Sequence, residues 1–435
     1  MKHKMNENEC VNYKNQEKMV LFLTGLLVIY LFFISRRGGS TRYLFSIVLI
    51  GTIIMQIVIT KKNKFKEYKY LYLTGIGYIF FICLSYLKVP NKITELPIFL
   101  NVVLYSIGFL LVGLNGKFEK KLYNNFIPLI TIFSYDAIYR GIKELPLYFG
   151  SAYRLTGGTG SPTVYATEIG LYIIIGVCGL FYCEKKIAKA CYLTYLLINI
   201  LLMFGTQSRA LLLFLPLTFI ILIFIKKRRE GIVLLCGMMV IGMVVLKNAD
   251  KIPFMGRLNT LNGVEQIEND ARMVILKKGV EIEKEIFPES LGFYAYRNGK
   301  LVQTSTKKYS DKVLEIDSGK GYIHFHNNIL EILVTQGIFS LIFYVIFNLL
   351  IFKELLKKYL NSNENNQTNI LASVALGTYI YFTLLGLVEV TFYFEKSSLL
   401  VYTILMITFS EKTNNKYMEG VSPVRNEIKE NSFDY

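Results

Sequence analysis

The sequence predicts an all-α polytopic membrane protein with about twelve transmembrane helices and one large external loop between spans 9 and 10. Hydrophobic residues make up 53% of the 435 residues, charged residues only 19%, and the mean hydropathy is +0.39. Twelve spans of about 20 residues each would use roughly 240 residues, which matches this apolar content. The composition therefore excludes an ordinary soluble domain.

Apolar runs long enough to cross a bilayer recur along the chain. We predict spans at residues 19–34, 43–60, 70–87, 97–114, 122–139, 163–182, 191–205, 210–225, 232–246, 327–352, 370–388 and 397–410. No cleavage-site pattern follows the first run, so we interpret it as a retained span, not a signal peptide.

The connecting loops predict how the protein lies in its membrane. The loops on the side of the two termini hold 18 Lys and Arg residues, and the short loops opposite hold 10, so both termini are expected in the cytosol. The 80-residue segment 247–326 is then external. The predicted regions are an N-terminal transmembrane region (1–246), the large external loop (247–326), a C-terminal transmembrane region (327–410) and a cytosolic tail (411–435).

The large loop contains one predicted element. Residues 269–286 have the pattern of an amphipathic helix that ends at Pro288. Its apolar stripe is expected to consist of Met273, Leu276, Val280 and Phe287. Residues 297–320 are polar and form a hairpin, a mobile lid or a solvated excursion.

The charge and the cysteines exclude two further classes of protein. A net charge of +17 would suggest nucleic acid in a soluble protein, but basic loops beside membrane helices supply the same excess, and we predict no nucleic-acid partner. The six cysteines fall in predicted spans or cytosolic segments, so no disulfide framework is expected.

Ionisable residues at the outer ends of the spans are the candidates for function, because charge at membrane depth is costly. Asp136 and Arg140 are spaced i, i+4, which favours a structural ion pair over a contact with substrate. Glu168 and Glu389 either orient arginines or pair structurally. The glycine turn (residues 157–160) is either a flexible turn, which we favour, or a phosphate cradle.

Arginine is concentrated on the predicted outer side, where nine of the twelve arginines lie. The planar guanidinium binds phosphate oxygens in pairs and stays charged. This distribution indicates an external anionic ligand, although interfacial anchoring explains Arg36, Arg37 and Arg42 equally well.

Two of the three histidines, His324 and His326, lie where the large loop meets span 10. Histidine is the side chain best suited to take up a proton near neutral pH. His324 is expected to face away, as a bystander, if the segment is extended. We predict no metal site and no cofactor, because neither cysteines nor an HExxH helix supply further ligands.

Four segments together resemble the superfamily of O-antigen ligases and O-antigen polymerases. His326 to Glu331, with Gly337 eleven positions after the histidine, is similar to the family's His-x10-Gly signature, and Arg209 to Leu213 is similar to its Arg-x3-Leu signature. Arg154 to Gly157, leading into Ser161 and Pro162, resembles the first external Arg-containing segment. Arg272, with Pro288 and Gly292 after it, resembles the loop arginine.

The resemblance implies a metal-independent inverting glycosyltransferase that uses a donor linked to undecaprenyl diphosphate. Its implied catalytic residues are His326, as general base, and Arg209 and Arg272, which neutralise the diphosphate. The residues expected to assist in substrate binding are Arg154, Arg140, Glu168, His324 and Asn327.

Three functions stay open at the level of the sequence. A repeat-unit polymerase, which we favour, takes a glycan or lipid-linked acceptor, whereas a ligase transfers finished glycan to a lipid core or a protein. A lipid-linked oligosaccharide flippase ranks below both. A flippase should have charged residues along its central cavity, whereas the candidate ionisable residues of this chain lie at one face of the membrane. The implied partners are the undecaprenyl-diphosphate-linked donor, the acceptor, membrane lipids, a flippase and a chain-length regulator.

Overall fold

The computed structural model of the protein describes part of the chain. The described residues are 67–89, 92–114, most of 127–150, 154–226, 232, 236, 271–293, 324–362, 367–410 and the paired residues 296–297 and 300–301. The predicted spans at 19–34 and 43–60, most of the one at 232–246, and the predicted tail at 411–435 lie outside this part.

The described part is almost entirely helical, which confirms the predicted class. Its α-helices are α1 (Lys69–Leu87), α2 (Lys92–Gly108), α3 (Tyr135–Gly150), α4 (Pro162–Tyr182), α5 (Lys186–Thr206), α6 (Arg209–Lys226), α7 (Ala271–Ile286), α8 (Asn328–Gln336), α9 (Ile338–Leu360), α10 (Gln367–Leu385) and α11 (Glu395–Ser410). A π-helical segment, Phe109–Gly113, extends α2, and a 3-10 turn, Thr391–Tyr393, precedes α11. Two-residue strands β1 (Tyr296–Arg297) and β2 (Lys300–Leu301) pair in antiparallel orientation.

Four of the described helices, α1, α4, α5 and α9, are long and apolar enough to cross a membrane. The shorter helices α6 and α10 are also apolar. On α5 the side chains of Leu193, Leu197 and Leu201 are exposed, as expected of a surface that meets lipid acyl chains. The protein is therefore a helical membrane protein.

Helix α10 lies at the centre of the described bundle. It packs against α4, α6, α9 and α11, and nearly all its residues from Leu371 to Leu385 are buried. Small residues allow close approach to α4: a Cβ at Gly170 would lie 2.1 Å from the Tyr381 hydroxyl, and one at Gly377 would lie 2.9 Å from Ile174. The end of α10 from which the connection to α11 leads is consequently packed closely against α4.

Two predicted spans differ from the structure. The predicted span at 327–352 consists of two helices, α8 and α9, because Gly337 lies between them with a φ of +91°, a conformation that ends a helix. Part of the span predicted at 122–139 lies outside the described residues, and α3 begins within it at Tyr135 and continues to Gly150 through Pro146. Hydropathy located the apolar stretches but not these breaks.

The loop helix is confirmed by α7, and Leu276 of the predicted stripe packs against its buried residues, but the stripe is wrong at Val280 and Phe287. Val280 and Phe287 are exposed, whereas Ile275, Ile282 and Ile286 are buried. The buried stripe runs through Gly279, where a Cβ would lie 2.7 Å from Leu330 and 2.8 Å from Phe325. Close packing on α8 therefore selected the face of the helix that contains the glycine.

Backbone hydrogen bonds hold the segment after α7 against the rest of the molecule. The N–H groups of Leu291 and Gly292 donate to the carbonyls of Val334 (2.9 Å) and Thr335 (3.1 Å) near the end of α8. The N–H of Phe293 donates to the carbonyl of Ser85 in α1 at 3.2 Å. These bonds fix α7, and with it Arg272, relative to α8.

Candidate active site

The amino terminus of α8 positions His326. The Asn327 side chain caps this helix by accepting a hydrogen bond from the N–H of Leu330 at 2.9 Å, and its amide donates to the carbonyl of Leu387 at 2.8 Å. His326 itself has a φ of +54°, the left-handed region that a histidine rarely adopts. Both polar groups of Asn327 thus serve the local fold, and its predicted contact with substrate stays a prediction.

A buried carboxylate joins the two residues that the resemblance named. Glu389, whose side chain is 2% exposed, accepts from the guanidinium of Arg272 through Oε1, and its Oε2 lies 2.9 Å from Nδ1 of His326. Burial alone would raise the pKa of Glu389, but the hydrogen bond from His326 and the charge of Arg272 outweigh it and hold the pKa below its ordinary value. Glu389 is therefore ionised at neutral pH.

The ionised carboxylate decides which nitrogen of His326 is basic. A carboxylate is an acceptor, so Nδ1 of His326 carries the hydrogen that lies between them. In the neutral imidazole the remaining nitrogen, Nε2, then bears the lone pair. His326 is consequently arranged to take up a proton at Nε2 and to share the resulting charge with Glu389.

His324 lies beside His326, so the expectation that it faces away is wrong. The two ring centroids are 4.3 Å apart, and Nδ1 of His324 accepts from the N–H of His326 at 3.3 Å. The expectation fails on geometry, because side chains two residues apart lie on the same side of an extended segment. Burial, reinforced by the neighbouring His326, lowers the pKa of His324 to about 4, so it is neutral at neutral pH.

Side-chain hydrogen bonds hold the α10–α11 connection against the start of α8. Asn328 donates from its backbone to the carbonyl of Gly386 at 2.7 Å, and its side chain donates to Thr391 Oγ1 and accepts from Thr391 N–H, both at 2.9 Å. Buried Glu331 accepts from the N–H of Phe325 and the hydroxyl of Tyr393, both at 3.0 Å. These bonds lie on both sides of Glu389 and bring it to His326.

His324, His326 and Glu389 also form a group of potential metal ligands, whose ligand atoms lie within 4.8 Å of one another. Two imidazoles and a carboxylate are donors that zinc accepts. However, the guanidinium of Arg272 is bound to Glu389, and a cation beside a metal ion is electrostatically unfavourable. The donor set fits proton transfer better than metal binding, and the absence of a metal stays a prediction.

The remaining predicted residues lie in a second group of elements. Nε of Arg154 donates to the carbonyl of Thr206 at 3.0 Å, at the end of α5, and Arg209 begins α6 three residues later. Arg140 pairs with Asp136, with 3.1 Å between Nε and Oδ2, which confirms the predicted ion pair.

Glu168 lies on α4 near this group and is 1% exposed. Neither of its carboxylate oxygens has a hydrogen-bond partner among the described residues, but the charges of Lys396, Asp136 and Arg140 act on it. Lys396 lies in the first turn of α11, seven residues after Glu389, so the α10–α11 connection and the start of α11 contribute one charged residue to each of the two groups.

Two carboxylates have contacts that the sequence did not indicate. Glu389 was expected to orient an arginine or to pair structurally, and it does bind Arg272, but its contact with His326 was not predicted. Glu144 was not recognised at all, although it accepts hydrogen bonds from Thr156, Gly157 and Gly158. The only signal for Glu144 in the sequence was its spacing of four residues from Arg140. Such spacing is common on exposed helices and does not indicate a functional role.

Comparison with known families supports the resemblance. Residues 194–345 match the family model described as O-antigen ligase, whose members are membrane glycosyltransferase-like enzymes. The matched region includes Arg209, Arg272, His324 and His326, whereas Glu389 lies beyond it. No curated protein matches the chain.

Proposed function

We propose that this member of the O-antigen ligase and polymerase superfamily, identified by its domain at residues 194–345, is a polymerase of cell-surface polysaccharide repeat units. It would transfer glycan of the O-antigen or capsule type from undecaprenyl diphosphate to a sugar hydroxyl at the outer face of the plasma membrane. The observation that carries the proposal is the Glu389–His326 pair beside Arg272, because it combines an oriented base with a cation.

The proposed reaction is a single displacement. Nε2 of His326 takes the proton of the acceptor hydroxyl, whose oxygen bonds to the anomeric carbon of the donor. The bond between that carbon and the diphosphate oxygen breaks, and undecaprenyl diphosphate leaves with the electron pair. Attack opposite to the leaving group inverts the anomeric carbon. The resulting imidazolium is stabilised by ionised Glu389.

The arginines would supply the charge stabilisation that a diphosphate leaving group requires. Arg272 is held by Glu389, yet 40% of its side-chain surface remains exposed, so an anionic ligand can reach it. Arg209 and Arg154 lie on the other group of elements and would bind the same diphosphate. Since guanidinium groups can bind two phosphate oxygens at once, the leaving group needs no metal ion in this proposal.

The proposal includes a topology. Both termini would lie in the cytosol and the loop that contains α7 would lie outside, as the distribution of basic residues favours. An exported lipid-linked donor then meets His326 and Arg272 on the side where its glycan is presented. A cysteine introduced into the segment 302–323 tests this arrangement. A thiol reagent that does not cross the membrane should label it in intact cells, and labelling only after lysis would contradict the topology.

A ligase is the second candidate, and the match to the family described as O-antigen ligase does not distinguish it from a polymerase. A ligase would use the same base and cations, but the acceptor would be a lipid core or a protein. The two functions differ in their products and not in their reacting groups. The proposal of a polymerase rests on the sequence composition, which is rich in Lys, Asn, Ile and Tyr and suggests the AT-rich genome of a cell without lipid A.

One reconstitution distinguishes the candidates. Purified protein is incubated with undecaprenyl-diphosphate-linked repeat units, with and without a chelator. A ladder of products supports a polymerase, a single addition to a different acceptor supports a ligase, and the absence of any covalent product favours transport. We expect the same rate with the chelator, and a rate that falls and recovers with added zinc would contradict metal independence.

The base is tested by His326→Ala. We expect loss of transfer by at least about a hundredfold, because general base catalysis contributes roughly that much. Membrane insertion should be retained, since the imidazole is partly exposed and does not belong to the apolar core. A variant with the activity of the natural sequence would show that His326 is not the base.

A further inference from the structure

The segment from Arg154 to Gly160 is folded around the carboxylate of Glu144. Oε2 of Glu144 accepts from the N–H groups of Thr156 (2.6 Å) and Gly157 (3.1 Å). Its Oε1 accepts from the Thr156 hydroxyl and the N–H of Gly158, both at 3.0 Å. Four donors therefore converge on one carboxylate, which belongs to α3.

The backbone of the glycine turn makes this convergence possible. Gly157 and Gly158 have φ values of +54° and +71°, in the left-handed region. Successive residues in such conformations direct neighbouring N–H groups to one side, which forms a concave site for an anion. The N–H groups of Gly157 and Gly158 therefore bind an anionic group of the same chain, and the binding of phosphate by this turn stays a prediction.

Two arginines adjoin the segment that Glu144 holds, Arg140 and Arg154, and the proposed function assigns Arg154 to the diphosphate. A Cβ at Gly158 would lie 2.8 Å from Cδ and 2.9 Å from a terminal nitrogen of Arg140, so the Arg140 side chain lies against the turn. Arg154 precedes Thr156 by two residues, and its Nε donates to Thr206, three residues before Arg209.

A second set of contacts anchors the segment to the end of α5. The N–H of Leu155 donates to the carbonyl of Gly205 at 3.0 Å, and the Leu155 side chain is fully buried. A Cβ at Gly205 would lie 2.2 Å from Leu155, so the two are in close contact. The segment is consequently fixed from α3 by Glu144 and from α5 by Leu155 and Arg154.

We propose that Glu144 is a positioning residue for the donor: its carboxylate shapes the segment so that Arg140 and Arg154 bind the same lipid diphosphate as Arg209. This inference rests on the proposed function. The negative charge of Glu144 also offsets part of the repulsion among three guanidinium groups that lie on neighbouring elements. Glu144 itself takes no part in proton transfer.

Glu144→Gln tests the inference, because the amide keeps the shape of the side chain but replaces one acceptor oxygen with a donor. The first measurement is the binding of undecaprenyl diphosphate, without glycan, to purified protein in detergent. We expect the Kd of this lipid to rise about tenfold or more, since hydrogen bonds to a charged group are lost. In transfer assays the KM of the donor should rise similarly, while kcat and the KM of the acceptor change less than about threefold.

Two further variants complete the experiment. Thr156→Val removes one of the four donors and should raise the lipid Kd by about threefold, which keeps the test valid if Glu144→Gln does not fold. Glu184→Gln, at an exposed position between α4 and α5, is the matched control and should behave like the natural sequence. Insertion into the membrane and gel filtration establish that each variant is folded.

The outcomes separate this inference from the proposed function. Equal lipid binding by Glu144→Gln and the natural sequence overturns the inference, and so does a change confined to kcat or to the acceptor. Tighter binding by Glu144→Gln overturns it as well, because Glu144 would then compete with phosphate for the turn. If the natural sequence binds the lipid but forms no covalent product, the proposed function fails while the binding measurement still decides the role of Glu144.

Discussion

Replacing Glu389 with glutamine, which has almost the same shape but no charge, should strongly lower the rate of glycan transfer. The carboxylate binds Arg272 through one oxygen and His326 through the other. A glutamine has one acceptor oxygen, so either Arg272 or Nδ1 of His326 then faces an NH₂ group. The exchange also removes the charge that stabilises the imidazolium.

The structure allows an estimate of the size of this effect. One hydrogen bond to a charged group is worth about 1.5–3 kcal/mol, which corresponds to roughly a 10- to 150-fold loss in rate. Because Glu389 is almost fully buried, little solvent screening reduces this figure. We therefore expect Glu389→Gln to retain about 1% of the transfer rate.

The assay is the initial rate of product formation from undecaprenyl-diphosphate-linked repeat units, at saturating donor and acceptor. Glu281→Gln is the control, because Glu281 pairs with Lys278 in an exposed ion pair on the same helix as Arg272. It should lose less than about 1 kcal/mol of stability and no activity. A rate for Glu389→Gln within twofold of the natural sequence would refute the role given to the carboxylate.

Two further predictions concern stability. Gly386→Ala would place a Cβ 2.2 Å from the side-chain nitrogen of Asn328, so we expect a loss of about 1–3 kcal/mol in thermal unfolding and reduced transfer; an unchanged melting temperature would contradict the packing. His324 has a folded pKa of about 4, below its ordinary 6.5, so the unfolded chain binds more protons between these values and stability should fall as the pH falls through that window. Relative to neutral pH, the loss at pH 5 should be about 1–2 kcal/mol in thermal melts, and His324→Gln should remove it; identical pH profiles would exclude this origin.

The sequence by itself determined the helical membrane class, most of the described apolar helices and the residues of the family signatures. Apolar runs of bilayer length admit few other structures, because backbone polar groups in lipid must be paired within the helix. The Asp136–Arg140 pair was also predictable, since both residues lie on one helix face and their spacing fixes their distance.

The tertiary structure alone decided which distant groups meet. His326 and Glu389 are 63 residues apart, and Arg272 is 117 residues from Glu389, so no local periodicity relates them. Their contact depends on the left-handed backbone at His326, the break at Gly337 and the bonds of Asn328 to the α10–α11 connection. Such contacts arise from the packing of whole helices, whose arrangement is set by many side chains together and is not encoded in the spacing of any one segment.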